Sequence, residues 1–418
     1  MLKHNLRGSS LRRREFLRIA AGAGVAAGSA CCKQWHTPAA AAVPALPPAD
    51  QRKLIIVIFG GGTRTSESIG DPEHRHIPRL WKEMVPRGTL FTNMRVEGRV
   101  VHPNSVGSIL TGHWEWDDLD WTQPVKHPTV FEVYRRGRGL PDPQAGAPAA
   151  WAFVYASILA QVGHSTAAGY GQRFAANVVQ PPTIPRTAGE EMDRRMRAAA
   201  ASGSAEAETA AAAECARLAR SASHVEMSGL GSPKAREWFA AQYRDWQRAT
   251  EGSTSHDAFL ADCALACMRE FSPGVLAVAF GEIDCAHYGS WSRYVAAIRR
   301  TDELAWKLWR ATEELSAYRG RTLMLVLPDH GRELERPGRV PPGCGFLHHS
   351  DFYANTGADE GCRRVWMLGL GPGVGAGRTI ERPVPITAAA ATGLEYLGLA
   401  ASDGAAASVL AAARGQLG

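Results

Sequence analysis

Four runs of consecutive apolar residues divide the chain, and each ends in a loop of glycine, proline or polar residues. They cover residues 53–59, 274–280, 322–327 and 364–370. Uninterrupted apolar runs of this length, rich in Val, Ile and Leu, are typical of strands buried on both faces of a parallel sheet. The pattern therefore predicts at least four buried strands.

Helical patterns separate several of these runs. Residues 290–318 repeat apolar positions at helical spacing, with Tyr294, Ile298 and Leu304 on related faces. Residues 186–255 are rich in alanine and in charges, and they predict a helical insertion beside the sheet. Strands that alternate with helices indicate an α/β domain with a mostly parallel central sheet flanked by helices. Such sheets form their sites at the carboxyl ends of the strands.

The first 51 residues have a different character. Residues 12–18 read Arg-Arg-Arg-Glu-Phe-Leu-Arg, and an apolar stretch rich in Ala and Gly follows at 19–27. This order predicts a twin-arginine export signal over residues 1–32, with Cys31 or Cys32 as a candidate site for a lipid anchor. Residues 33–51, rich in Pro and Ala, predict a linker to a domain over 52–418. We therefore expect a periplasmic or envelope-anchored protein.

Composition and charge exclude other classes of protein. The chain has 418 residues, of which 45% are hydrophobic and 21% charged, so it can bury a large core. The net charge is +6, but six basic residues and one acid among residues 1–30 account for +5 of it. The rest is nearly neutral, which argues against a nucleic-acid partner. The glycines at 60–62 lack the spacing of a dinucleotide-binding loop.

Carboxylates and imidazoles follow two of the predicted strands and recur in a later loop. They are Asp284 and His287 after the second run, Asp329 and His330 after the third, and His348 and His349 in a loop rich in Gly and Pro. Carboxylate oxygen beside imidazole nitrogen suits a divalent cation such as zinc. The sequence therefore predicts a metal site at the carboxyl edge of the sheet.

The order of these motifs resembles the alkaline phosphatase/sulfatase superfamily over about residues 52–400. The chain has Asp-x-x-His, a helix with Tyr294 and Asp302, a strand, Asp-His-Gly, a late His, and an ending at 383–398 similar to the family's final helix. The resemblance implies an alkaline phosphatase-like fold and a metal-dependent hydrolase, or transferase, of phosphate or sulfate esters. The expected substrate is a small-molecule or cell-envelope anionic ester.

The resemblance also implies one or two divalent ions, with zinc expected. One ion would be held by Asp284, His287 and a late histidine, with His349 preferred to His348. The other would be held by Asp329 and His330, together with an Asp from the loop after the first strand and a nucleophile. This chain has glycines 60–62 in that loop. Glu67 is the nearest acid, and it is either a substitute ligand or an exposed loop residue.

The nucleophile segment departs from the family as well. Residues 102–112 resemble the sulfatase segment C-x-P-S-R-x-x-L-L-T-G, but His102 stands where sulfatases have Cys and related phosphatases have Thr or Ser. His102 is a third ligand of the Asp329/His330 ion, a nucleophile for phosphoryl transfer, or a residue without a role. Metal-bound water is the other candidate attacker.

Four further side chains near these motifs have candidate roles. Ser105 and Thr63 are alternative hydroxyl nucleophiles, and Asn104 or Ser105 is expected to cap the helix that follows. Arg64 either binds an oxyanion in bidentate fashion or forms a salt bridge. If catalysis does not survive the two departures, the chain is a non-catalytic descendant that keeps the metal and binds a ligand or partner.

Overall fold

A computed structural model describes residues 43–140, 149–249, 255–287, 291–334, 349 and 356–416. In these ranges nine strands form one sheet, in the order β4-β3-β5-β1-β6-β7-β2-β8, and β9 pairs with β2. The strands are β1 Lys53–Ile58, β2 Gly88–Arg95, β3 Ala150–Val154, β4 Asn177–Val179, β5 Val275–Ala279, β6 Thr322–Leu327, β7 Arg364–Leu370, β8 Arg378–Ile380 and β9 Val384–Pro385.

Strand β1 lies at the centre of the sheet between β5 and β6, and both neighbours run parallel to it. Ile56 is opposite Ala277 on one side and Leu325 on the other. Strand β7 pairs antiparallel with both β6 and β2. The four predicted strands therefore form, but the loop after β7 lies at the edge opposite the loops after β1, β5 and β6.

Both faces of the sheet are buried by helices, which explains why the strands read as continuous apolar runs. Leu54, Ile56 and Ile58 of β1 belong to one core with the helices α1, α2 and α9. Ile55 and Val57 belong to a second core with α6 and α7. The helices are α1 His102–Thr111, α2 Val130–Gly137, α3 Arg186–Ser202, α4 Ala205–Ala222, α5 Pro233–Arg248, α6 His256–Phe271, α7 Trp291–Glu314, α8 Glu360–Arg363, α9 Ala388–Leu397 and α10 Leu410–Ala413.

The predicted helical insertion consists of α3, α4 and α5. The last residues of the predicted linker contact the domain, since the Pro44 carbonyl accepts a hydrogen bond of 3.1 Å from the Gly373 amide. The export signal and the lipid site lie outside the described residues and stay predictions. Across the described ranges, no helix combines the length and apolarity needed to cross a bilayer.

Helix α7 anchors the chain that follows β1. The Asp302 carboxylate accepts hydrogen bonds from the amides of Arg79, at 2.9 Å, and Leu80, at 2.8 Å. These amides stand at the start of the helical turn Leu80–Met84. Burial raises the pKa of Asp302 to about 7, although the two amides favour the charged form.

An Asp302→Asn variant should lose part of the pH dependence of stability. The ordinary pKa of the carboxyl is 3.8, and the folded protein raises it to about 7. The stabilisation is therefore complete below about pH 4 and is lost as the pH rises through 7, because folding then buries a charge. From pH 4 to 7 the unfolding free energy of the variant should rise relative to wild type by about 2–4 kcal/mol. Urea unfolding at several pH values measures this difference.

The exposed Asp403 supplies the control. Asp403→Asn should follow the wild-type curve throughout the range. A constant offset between Asp302→Asn and wild type would contradict the raised pKa.

Candidate functional site

Three adjacent parallel strands deliver the candidate residues to one edge of the sheet. The loop after β1 holds Gly60–Gly62, the turn Glu282–His287 follows β5, and Asp329 with His330 follows β6. Helix α1 begins at His102 on the same side. The structure brings together six of the predicted ligand and catalytic side chains: His102, Asp284, His287, Asp329, His330 and His349.

One half of this cluster is formed by His102, Asp329 and His330. The Nδ1 atom of His102 lies 2.6 Å from Asp329 Oδ2 and 2.8 Å from His330 Nε2. The other Asp329 oxygen accepts hydrogen bonds from the backbone amides of Gly62, at 3.3 Å, and His330, at 3.0 Å. These bonds fix the carboxylate against two loops, with one oxygen directed at His102.

Asp284 is the centre of the other half. Its Oδ1 atom lies 3.2 Å from His102 Nε2, 3.2 Å from His287 Nε2 and 3.3 Å from His349 Nε2. Burial alone would raise the pKa of Asp284, but the imidazoles, His102 foremost, hold that pKa far below its ordinary value. A carboxylate that stays charged among imidazoles is what a cation needs.

The imidazoles are oriented for a cation by carbonyl groups behind them. His330 Nδ1 lies 2.9 Å from the Gly331 carbonyl, and His349 Nδ1 lies 3.3 Å from the Val100 carbonyl. Because a carbonyl only accepts, Nδ1 carries the proton in each ring and Nε2 keeps its lone pair. Burial lowers the pKa of His330 to about 4 and that of His349 well below its ordinary value, so both rings are neutral.

The surroundings of the His102 ring also suit a divalent cation. Its buried Nε2 atom makes no hydrogen bond within the described structure, although Asp284 Oδ1 is only 3.2 Å away. The donor atoms of His102, His330 and His349 lie within 4.8 Å of one another, as do those of Asp284, His287 and His349. An unsatisfied buried nitrogen among carboxylates and neutral imidazoles fits a divalent cation. Burial lowers the pKa of His102, but Asp284 and Asp329 outweigh it and raise the pKa to about 9, so the ring of the metal-free protein is protonated and its Nε2 faces Asp284 as an ion pair. A bound cation would take the place of that proton.

Arg332 is a site residue that the sequence analysis missed. Its side chain is fully buried, and its guanidinium donates to Asp284 Oδ1 at 2.6 Å, to the Gly62 carbonyl at 2.9 Å and to the Gly61 carbonyl. Arg332 thereby joins the loops after β1, β5 and β6. The available sequence signal was its position directly after Asp-His-Gly. A buried guanidinium needs several acceptors, and the loops of the site supply them.

The glycines after β1 let these loops approach each other closely. Gly61 and Gly62 have φ values of +92° and +76°. A Cβ atom on Gly61 would lie 2.6 Å from the amide nitrogen of Asp284, and one on Gly62 would lie 2.8 Å from the ring of His330. The space for a side chain at these two positions is therefore taken by the cluster itself.

Glu67 and Arg64 do not join the cluster, so the alternatives in which Glu67 is a metal ligand and Arg64 binds an oxyanion are not observed, and Glu67 is not the exposed loop acid of the other alternative either. The Arg64 guanidinium binds both Glu67 oxygens, at 2.6 and 2.7 Å, and the Ser66 and Tyr294 hydroxyls also donate to Glu67. The turn Thr65–Glu67 folds the carboxylate back onto Arg64. The salt bridge, one of the two alternatives for Arg64, is thus observed, and Glu67 is buried within it.

The hydroxyl candidates differ in their surroundings. Thr63 donates to the Phe59 carbonyl at 3.2 Å. Ser105 is buried one turn after His102, and its hydroxyl has no hydrogen-bond partner among the described residues. The expected cap of α1 is absent, because Val101 occupies the N-cap position and Asn104 donates to the Glu115 carbonyl instead. His348 lies outside the described residues.

Similarity to known proteins is visible in the fold but not in the sequence. No family model matches the chain, and no curated protein matches it. The structure of Ps i-CgsB superposes with a TM-score of 0.54 at 13% identity, covering 87% of this chain and 76% of that one. A phosphonate monoester hydrolase from Silicibacter pomeroyi superposes with a TM-score of 0.53 at 12% identity, covering 88% and 77%. The chain has the alkaline phosphatase-like fold. At these identities, the likeness extends to the fold of the alkaline phosphatase-like domain and not to its substrate.

The cluster fits a divalent cation, and a Gly62→Ala substitution should weaken the affinity of the alkaline phosphatase-like domain for such an ion, with Zn²⁺ as the probe. The added Cβ would lie 2.8 Å from His330, so the imidazole has to move. Displacing a ligand in this way should cost about 10- to 100-fold in zinc affinity. Competition with a chromogenic chelator measures that affinity.

Gly320→Ala is the matched control, because Gly320 has a similar φ of +66° but no atom within 4 Å of an added Cβ. It carries the backbone strain without the contact. Equal zinc affinities in the two variants would show that the loop after β1 does not constrain the cluster.

Proposed function

We propose that this protein is a hydrolase of phosphate or sulfate esters that depends on a divalent cation. One observation carries the proposal: carboxylates and imidazoles from three parallel strand ends converge, and the His330 and His349 lone pairs point at the same small volume. Burying such groups is costly unless they are paired or bound to a cation. A purely structural role would not need them at the edge where α/β sheets form their sites.

The residues suggest how a cation would be held and which metal suits them. Asp284, His287 and His349 would form one position, and His102, His330 and His349 an adjoining one, with Asp329 holding His102 through its Nδ1 atom. Imidazole and carboxylate donors favour zinc. A bound divalent cation would polarise the ester and lower the pKa of a water molecule towards neutrality.

The surrounding chain supports an anionic substrate. Helix α1 starts at the cluster, so its amide groups favour a bound oxyanion. The buried Ser105 hydroxyl on the same face of α1 is available for the same group. Among the structural neighbours, one is a phosphonate monoester hydrolase, and Ps i-CgsB was crystallised with k-i-k-neocarrahexaose (TM-score 0.52, 12% identity, 85% of this chain and 74% of that one). These two neighbours support a small-molecule ester or an oligosaccharide as the substrate.

His102 is proposed as a ligand, because its unsatisfied Nε2 faces the cluster from the position where the family has its nucleophile. If His102 binds the cation, water is the attacking group. Attack by an alcohol in place of water would make the protein a transferase. We also propose export by the twin-arginine signal in residues 1–32, with lipid attachment at Cys31 or Cys32. Export would place the site among the esters of the cell envelope.

Metal content and turnover of His102→Ala test this proposal. The wild-type protein should retain zinc and hydrolyse p-nitrophenyl phosphate or sulfate, and a chelator should abolish the activity. His102→Ala should lose zinc and at least about 100-fold in kcat/KM, since a ligand to the reacting centre is gone. His164→Ala, a partly exposed histidine that contacts Gln172, is the control and should match wild type.

The outcomes separate the alternatives. Bound zinc without turnover of either ester would favour the non-catalytic descendant. Loss of turnover in His102→Ala with full zinc content would identify His102 as a nucleophile instead of a ligand. Turnover that survives complete removal of metal would contradict the metal dependence.

A further inference from the structure

A cavity of about 710 Å³ opens beside the metal cluster. Asp284 belongs to both, and the rest of the wall comes from the end of β3, the start of α6, the turn after β5 and helix α7. A cavity of this volume holds a drug-sized organic group. An ester bound at the cluster would therefore place its alcohol portion here.

Most polar groups on the cavity wall already hold the wall together. Asp257 of α6 accepts hydrogen bonds from the amides of Gly281, at 2.9 Å, and Glu282, at 3.0 Å. The side chain of Glu282 pairs with Arg300 of α7. These contacts fix the turn that carries Asp284. The side chains of Asp257, Glu282 and Arg300 are thus already paired within the protein.

Tyr155 is different, because its ring is fixed while its hydroxyl is not. It follows β3, and its ring packs against both hydrophobic cores. The ring covers Gly281, where an added Cβ would come within 2.1 Å of it. It also meets His102 edge-on, with ring centroids 5.6 Å apart and an interplanar angle of 89°. The tyrosine therefore has one defined position between the cluster and the cavity.

The hydroxyl of Tyr155 has no hydrogen-bond partner in the described part of the chain, and the residue is partly exposed in the cavity. A phenolic hydroxyl placed beside buried groups usually finds a partner. The O–H group is thus a donor whose acceptor is not supplied by the described residues.

We propose that Tyr155 positions the substrate, donating its O–H to an oxygen of the phosphate or sulfate group bound at the cluster. The inference rests on the proposed function and adds a residue to it. No bond is made or broken by Tyr155, and the ring sets the donor at a fixed place beside His102. A hydrogen bond to a charged group of this kind corresponds to about a tenfold change in affinity or more.

Tyr155→Phe tests the proposal, since it removes the hydroxyl and keeps the ring over Gly281. We expect kcat/KM for p-nitrophenyl phosphate or sulfate to fall about 10- to 100-fold. Inhibition or binding by inorganic phosphate should weaken about tenfold. Zinc content and melting temperature should match wild type, which excludes an effect through His102 or through folding.

Tyr134→Phe is the matched control. Tyr134 lies over Gly274 at the opposite end of β5, with its hydroxyl oxygen 1.9 Å from an added Cβ, whereas Tyr155 lies over Gly281 with its ring atoms. It lies at the edge of the sheet away from the cluster. Tyr134→Phe should stay within about twofold of wild type in turnover and in phosphate binding.

The results distinguish this inference from the proposed function. A wild-type enzyme that turns over, with Tyr155→Phe equal to it in both kcat/KM and phosphate binding, would overturn the role of Tyr155 alone. Zinc loss in Tyr155→Phe that parallels the loss of activity would also overturn it. If wild type binds phosphate but turns over no ester, the phosphate affinities of wild type and Tyr155→Phe are compared. An affinity about tenfold weaker in the variant supports the role of Tyr155, and equal affinities overturn it. If wild type neither turns over an ester nor binds phosphate, the proposed function fails and this inference with it.

Discussion

The site depends on keeping the Asp284 carboxylate charged inside the protein. Removing an ionised carboxylate from water costs several kcal/mol unless opposite charges and hydrogen bonds replace the solvent. Here one oxygen faces three imidazole nitrogens and the Arg332 guanidinium. The apolar sheet supplies none of this compensation, so the surrounding loops have to bring it. Their close approach follows from that requirement.

Backbone groups carry much of the arrangement. Carbonyls behind His330 and His349 set their tautomers, and amides of Gly62 and His330 hold one oxygen of Asp329. Arg332 then ties two glycine carbonyls to Asp284. Because these partners are main-chain atoms, their positions are fixed by the three parallel strands. The sheet therefore holds the backbone of the ligand-bearing loops in place, and only the side-chain conformations of the ligands remain to be set.

Sequence patterns predicted the parts of this protein that depend on periodicity and order. Both faces of β1, β5 and β6 are buried, so these strands read as apolar runs, and the acids and histidines at their ends could be assigned to one edge. The antiparallel direction of β7 was not predictable, because an apolar run does not encode the direction of its neighbours. Nor does the sequence decide whether Arg64 and Glu67 turn towards the cluster or, as observed, pair with each other three residues apart. Arg332 and Tyr155 act through contacts between distant loops, which a single sequence does not show, although Arg332 directly follows Asp-His-Gly.

The glycine loop after β1 has a consequence for how this site is able to change. An acid at Gly61 or Gly62 would drive its Cβ into the Asp284 amide or the His330 ring, at a backbone geometry that L-residues seldom adopt. The guanidinium of Arg332 also occupies both carbonyls of that loop. A side chain at either position therefore requires the facing loops to move, so an acid here would need coordinated changes in Arg332 and in the segments around Asp284 and His330.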